Sequence, residues 1–360
     1  MGGKNYKIIA LICYCALWFV ACKKDKPVST NTSLPVSGAS ENTYIVCEGA
    51  LGNGNASLSL YSPATGTVYP DIYQTVNHQS LGDVFESMIR IDSRLFLCVN
   101  NSDKVVVIDD KDWKLAGIIN IKQPRYILPV SSTKAYVSTL FSNTLYVIDP
   151  QTLQVTGSIN MPNQNPEGML LDGENAFVCT WDTAGNSVYE INTANDQVTK
   201  KIKVAGYAPQ EILMDKEQKL WVLSGDQTEG KTCALSRVDP STGSIIQSYQ
   251  FPVNADPVRP AFNNAKDTLY IIEANQNGGT ENNGIYRMSI NDTALPKAPF
   301  VSAAKYQYFW ALGIDPKTGY IYVGDPMGFV QQGSVYIYRQ DGTLVNQFKV
   351  GLGPGHFYFD

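Results

Sequence analysis

The sequence predicts an all-β chain folded as a seven-bladed β-propeller, and three observations predict it. A short apolar strand of the Leu-Tyr-Val type recurs seven times, anchored at Ile45, Phe96, Tyr136, Phe177, Trp221, Tyr270 and Tyr322, each followed by a second strand ending near Asp. The intervals of 51, 40, 41, 44, 49 and 52 residues match one four-stranded blade and exclude the shorter leucine-rich and ankyrin periods. A leftover alternating aromatic strand, Gly355 to Asp360, follows the last repeat, while the first repeat lacks an inner strand upstream of Tyr44. That pair of ends predicts a ring in which the C-terminal strand serves as the inner strand of blade one, leaving no open edge there.

The first element is a leader. Lys4 and Lys7 precede an apolar run from Ile8 to Ala21, and Phe19-Val20-Ala21-Cys22 closes it. Such a run rises only about 21 Å as a helix, short of a hydrocarbon core of about 30 Å, so residues 1–21 read as a cleaved secretory signal. The small residue before Cys22 resembles a bacterial lipobox, which implies lipidation of Cys22. Several acyl chains at about 0.8 kcal/mol per buried methylene would hold the chain to a bilayer where one would not. Residues 22–43, rich in Lys, Ser, Thr, Asn and Pro, have no apolar period and read as a flexible tether spanning roughly 25 Å. The start Lys23-Lys24-Asp25-Lys26 is similar to surface-export signals of some Gram-negative outer membranes, so the expected location is the outer membrane, at the cell surface.

Residues 44–360 form the propeller. Removing residues 1–21 leaves 26 basic against 33 acidic side chains, a net charge of −7, which disfavours nucleic acid as a partner. Blade three shows the unit, with strands at Arg125–Val130, Ala135–Thr139, Thr144–Pro150 and Gln154–Ile159, inner to outer. Further inner strands are expected near Glu86, Glu167, Gln210, Arg259 and Phe309. Asp-Pro and Ser/Thr-Gly pairs such as Asp149-Pro150 and Asp239-Pro240-Ser241-Thr242-Gly243 read as turns, not as ligand loops. Cys47, Cys98 and Cys179 occupy equivalent positions in separate blades, so they and Cys233 read as buried thiols and not as a disulfide framework.

Function on this fold is grafted onto the loops at one mouth of the central channel. The inner-strand starts bring Glu86, Arg125, Tyr126, Glu167, Gln210, Glu211, Arg259, Trp310 and His356 to that mouth. The loops between second and third strands add Asn53, Asn55, Asn101, Phe141, Trp181, Asn275, Asn277 and Phe329. Aromatic groups supply rigid contact area and amides supply donors and acceptors, so the rim suits a large, polar, ring-bearing ligand. Catalysis finds little support. The chain has only His78 and His356, which excludes a three-histidine zinc site; it holds no GxSxG elbow, and a phosphate-cradling Gly loop is not expected. No metal or cofactor is expected. Glu86, Glu167 and Glu211 could serve as acid and base, although salt bridges to Arg125 and Arg259 account for them more simply.

Short strands such as Ala135-Tyr136-Val137-Ser138-Thr139 resemble the repeats of YVTN, or YncE-like, propellers. Glu48-Gly49, Gly52-Asn53-Gly54-Asn55-Ala56-Ser57-Leu58, Leu81-Gly82-Asp83-Val84-Phe85-Glu86-Ser87-Met88, Asn100-Asn101-Ser102-Asp103-Lys104-Val105 and Gly353-Pro354-Gly355-His356-Phe357 together with the lipobox look like propeller surface lipoproteins that include the BtuG-type cobalamin-capturing proteins. The resemblance implies a non-catalytic lipoprotein that binds a nutrient, a cobalamin or related corrinoid, and passes it to a TonB-dependent transporter. Two other readings stay open: an envelope protein–protein interaction module, and a lyase or hydrolase using the channel carboxylates.

Overall fold

A computed structural model describes residues 42–274 and 283–360. The leader, Cys22, nearly all of the tether, Asn275 and Asn277 lie outside the described residues. Seven antiparallel four-stranded sheets form a seven-bladed β-propeller. Blade one contains the expected closure: strand Pro354–Phe359 pairs antiparallel with Thr43–Cys47, with Tyr44 opposite Tyr358 and Val46 opposite His356. The latch is reinforced by Glu48 N–H donating to the Gly353 carbonyl at 2.8 Å and by an ion pair between Asp360 and Arg90 of blade two. Phe357 and Phe359 set their rings against Tyr322 of blade seven, with centroids 5.7 and 5.1 Å away.

The second strand of each blade reads as an unbroken apolar run because neighbouring blades cover both of its faces. Leu95, Phe96, Leu97, Cys98 and Val99 are all fully buried. The core is therefore divided into clusters between adjacent blades, such as Phe96, Cys98 and Val105 against Val137 and Ile148. Outer strands meet solvent on one face, and in Gln154–Asn160 only Ile159 is buried. Asp149, Asp239 and Asp315 form the expected turns, each accepting a backbone N–H two residues on at 2.8 to 2.9 Å. Cys47, Cys98, Cys179 and Cys233 are buried free thiols.

Two elements depart from the regular blade. Blade one has a three-residue outer strand, Thr67–Tyr69, followed by a short helix, Ile72–Asn77, whose N-terminus is capped by the Asp71 side chain. Blade six has an outer strand of only two residues, Val301–Ser302.

Candidate functional site

A repeated backbone device aims side chains into the channel. At the mouth end of five inner strands the register with the neighbouring strand slips, at Phe85/Ser87, Pro124/Ile127, Pro166/Met169, Pro209/Glu211 and Val258/Ala261. The residues inside those slips are Glu86, Arg125 with Tyr126, Glu167 with Gly168, Gln210, and Arg259 with Pro260. A β-bulge leaves its extra residue outside the ladder and re-aims its side chain, and here the bulges deliver the channel-facing groups. The closing strand has a bulge of its own at Gly355, where a Cβ would lie 2.0 Å from Glu48 Oε1. Just before four of these strands, Val84, Gln123, Asn165 and Ala208 hold φ between 46° and 55°. Each carbonyl accepts a backbone N–H from the end of the adjoining second strand or the loop after it, at 2.7 to 3.2 Å, from Asn100, Leu140, Trp181 and Gly225. These contacts hold residues that are not glycine in a left-handed conformation they seldom adopt.

The groups so placed form one buried network. The Arg125 guanidinium bridges two carboxylates, donating to Glu86 Oε2 at 2.6 Å and through Nε to both Glu167 oxygens at 3.0 and 3.1 Å. Tyr126 Oη donates to Glu86 Oε1 at 3.3 Å and accepts from Arg259 Nη1 at 3.1 Å. Arg259 lies 2.9 Å from His356 Nε2 and only 3.7 and 3.8 Å from Glu48 and Glu211. Trp310 Nε1 donates to Glu48 Oε1 at 2.8 Å, and the Arg259 guanidinium lies over the Trp310 ring at 5.4 Å.

Four carboxylates thus share two guanidinium groups, and the shortfall falls on those held most loosely. Burial, with Glu86 nearby, pushes Glu48 up to about 7 against the pull of Arg259. Burial also lifts Glu211 to about 7, with Arg259 opposing and Glu167 adding to the rise. Burial and the flanking Arg259 and Arg125 hold His356 well below its ordinary range, so it is a neutral imidazole. Both arginines stay charged, because the carboxylates outweigh their own burial.

Above this floor lies a cavity of about 660 Å³, lined by Glu48, Glu86, Arg125, Tyr126, Glu167, Trp181, Gln210, Glu211, Arg259, Trp310 and Phe329, among others. Ten residues expected at the mouth are thereby brought together. His356 sits within the network, bonded to Arg259. Four others do not line the cavity, and each has a local reason. Asn55 Oδ1 accepts the Ala50 N–H at 2.8 Å, Asn53 bonds the Leu51 carbonyl at 3.3 Å, and Asn101 donates to Asp83 Oδ2 at 2.5 Å. Those three side chains shape loops. Phe141 stands 77% exposed at a loop tip.

Sequence reasoning missed Glu48 as a channel group, since it follows a second strand and does not open an inner one. It also undervalued Glu211. Pro209, which like Pro124 and Pro166 opens an inner strand directly before a channel residue, was a usable signal for Glu211 but not for Glu48. Trp181 Nε1 is buried and unpartnered at the cavity wall. Among the described residues no group of three metal-ligating side chains is placed to hold an ion.

The family described as a domain of unknown function (DUF5074) matches residues 41–360. The chain belongs to that family. No curated protein matches it in sequence. This DUF5074 propeller is similar in fold to a quinoprotein alcohol dehydrogenase-like protein from Bacteroides thetaiotaomicron, at 14% identity, covering 89% of this chain and 78% of that one, TM-score 0.66. It is similar also to a putative 6-phosphogluconolactonase from Bacteroides fragilis, at 14% identity, 89% and 98% coverage and TM-score 0.65. A periplasmic gluconolactonase from Pseudomonas aeruginosa matches at 11% identity, 89% and 98% coverage and TM-score 0.64. At such identities these likenesses speak for the fold alone, and a fold shared with enzymes leaves catalysis open to this DUF5074 member.

Proposed function

We propose that this chain is a lipid-anchored, surface-exposed binding protein that captures a large polar ligand, a cobalamin or related corrinoid, at the channel mouth and presents it to a TonB-dependent transporter. The carrying observation is the pairing of an acceptor-rich floor with an apolar rim. Glu48 and Glu211 offer carboxyl oxygens to hydrogen-bond donors, while Trp181 Nε1 offers an unpaired donor. Primary amide arms of a corrin ring carry both kinds of group. Leu51, Phe141, Tyr207, Tyr306 and Val330, all exposed, stand on loops of the mouth face, and Leu51 lines the cavity with Trp181, Trp310 and Phe329, where a macrocycle could rest. The lipobox at Cys22 and the family resemblance support the anchor and the transporter partnership. Titrating the protein from Ser40 onward with cyanocobalamin and a corrinoid panel tests the reading. It requires saturable binding below micromolar concentration, and no binding at micromolar concentration rejects the vitamin.

A second reading, a lyase or lactone hydrolase, draws on Glu48 and Glu211, whose carboxyl groups titrate near 7, where a general acid or base works best. Turnover of a lactone or glycan that is lost in Glu211→Gln would favour it over simple binding. A third, an envelope interaction module, draws on the apolar loop tips and would be favoured by a partner whose capture ignores corrinoids.

A further inference from the structure

Away from the channel, a cavity of about 700 Å³ opens on the flank between blades five and six. Its origin is the shortened outer strand of blade six. At other interfaces both flanking outer strands send side chains inward, as Ile159 with Val198 and Phe348 with Val68 do, whereas in the cluster between blades five and six only blade five's outer strand contributes, through Tyr249. In blade six the third strand, Gly284–Ser289, is paired on its outer side only at Gly284 and Ile285. Beyond them the chain leaves the sheet through Pro299 and Pro296, whose nitrogens have no proton to give a ladder. The side chains that should fill the gap are missing.

What lines the gap is amphipathic along its length. Leu269, Ile271 and Met288 form the inner wall, with Phe251, Pro252 and Leu295 across from them. One end carries Glu273, buried, with Oε1 accepting the Asp256 N–H at 2.7 Å. The outer rim carries Arg287 and Lys297, both exposed. Arg287 is already committed, donating to the Gln340 carbonyl at 2.9 Å and covering the Phe300 ring at 3.9 Å. Lys297 is therefore the cation that can swing to meet a guest.

We propose that this flank cavity is a second ligand site, for an aromatic carboxylic acid with a hydroxyl at the far end of its ring. The ring lies between the aliphatic wall and Phe251, the hydroxyl donates to Glu273, and the carboxylate meets Lys297 at the rim. The volume falls within the range of about 300–1,000 Å³ usual for small-molecule sites, and an apolar lining with a few converging polar groups is their usual chemistry. The loop Phe251–Asp256 walls this cavity on one side, and its Asp256 lines the channel on the other. The assignment does not depend on what the channel binds.

The test is isothermal titration of the purified full chain with 3-(4-hydroxyphenyl)propionate, alongside 2-phenylethylamine, which puts an ammonium where the carboxylate would be. We expect one saturable site for the acid, about fivefold weakened in Lys297→Glu, a surface change that leaves the fold intact. Met288→Trp, which fills the cavity, should abolish binding while circular dichroism reports a folded ring. Absence of saturable binding at millimolar acid, tighter binding of the amine, or an affinity indifferent to both substitutions would each overturn the proposal. None of those results bears on corrinoid capture at the mouth.

Discussion

Replacing Arg125 with methionine should cost the fold more than any other single channel substitution. The guanidinium is bonded to Glu167 through Nε at 3.0 and 3.1 Å and to Glu86 at 2.6 Å, and neither carboxylate is more than slightly exposed. At an effective dielectric constant near 20, each contact contributes about 4 kcal/mol of attraction, most of which offsets desolvation. Breaking a buried pair by deleting one partner typically costs about 3–5 kcal/mol, because the remaining charge is left uncompensated. Here two carboxylates are stranded together. Urea denaturation of Arg125→Met at pH 7.5 should therefore show a loss of about 4 kcal/mol. The sign of the pH effect follows. With its cation gone, Glu167, already pushed up by burial, takes up a proton more readily folded than unfolded, so the variant regains stability as pH falls and loses it as pH rises through the folded titration. Adding Glu86→Gln and Glu167→Gln to Arg125→Met should restore more than half of the loss in a mutant cycle. A loss below about 1 kcal/mol, the scale of an exposed ion pair, or a deficit that does not shrink at low pH, would refute the reading of this network as a buried, charge-balanced unit.

Other outcomes can be checked separately. Glu48 titrates near 7 folded against an ordinary 4.5, so its ionised form penalises folding above neutrality. Glu48→Gln should gain on the parent protein by up to about 3 kcal/mol between pH 4.5 and pH 8, as read from denaturation midpoints, and a difference that is flat with pH would be inconsistent with its burial. Deleting residues 354–360 should remove the inner strand of blade one and collapse cooperative unfolding of the ring; an unchanged calorimetric transition would contradict the closure. Gly355→Ala should prevent Glu48 from reaching Trp310, so the variant's Trp fluorescence should shift. Phe141→Ser at an exposed loop tip should change stability by less than about 0.5 kcal/mol, while weakening any partner that docks on the mouth face.

How much of this was legible beforehand varies with the physics that fixes each part. Blade number and closure were readable because a strand covered on both faces must be apolar throughout, and because an orphan strand at each end of the ring has one way to pair. The turn aspartates were readable for the same local reason, each satisfying its own backbone. The channel was half legible. Arg125 and Glu167 follow strand-opening prolines and were found, whereas Glu48 enters the channel through contact with Gly355, more than 300 residues distant. No local pattern announces such a contact. Asn53, Asn55 and Asn101 sit in the right loops but spend their amides on neighbouring backbone and carboxyl groups, a choice that composition does not reveal. The flank cavity arises from something missing, and the prolines at 296 and 299 are its trace in the sequence.

The latch made by Pro354–Phe359 also sets the order in which this molecule can mature. Blade one cannot acquire its innermost strand until residues 354–359 have left the ribosome, so the circle stays unsealed while everything before them is made. A prematurely terminated product would expose an unpaired edge at Thr43–Cys47, the kind of edge that invites aggregation or proteolysis. The fold in effect checks that synthesis has reached Phe359 before the circle seals.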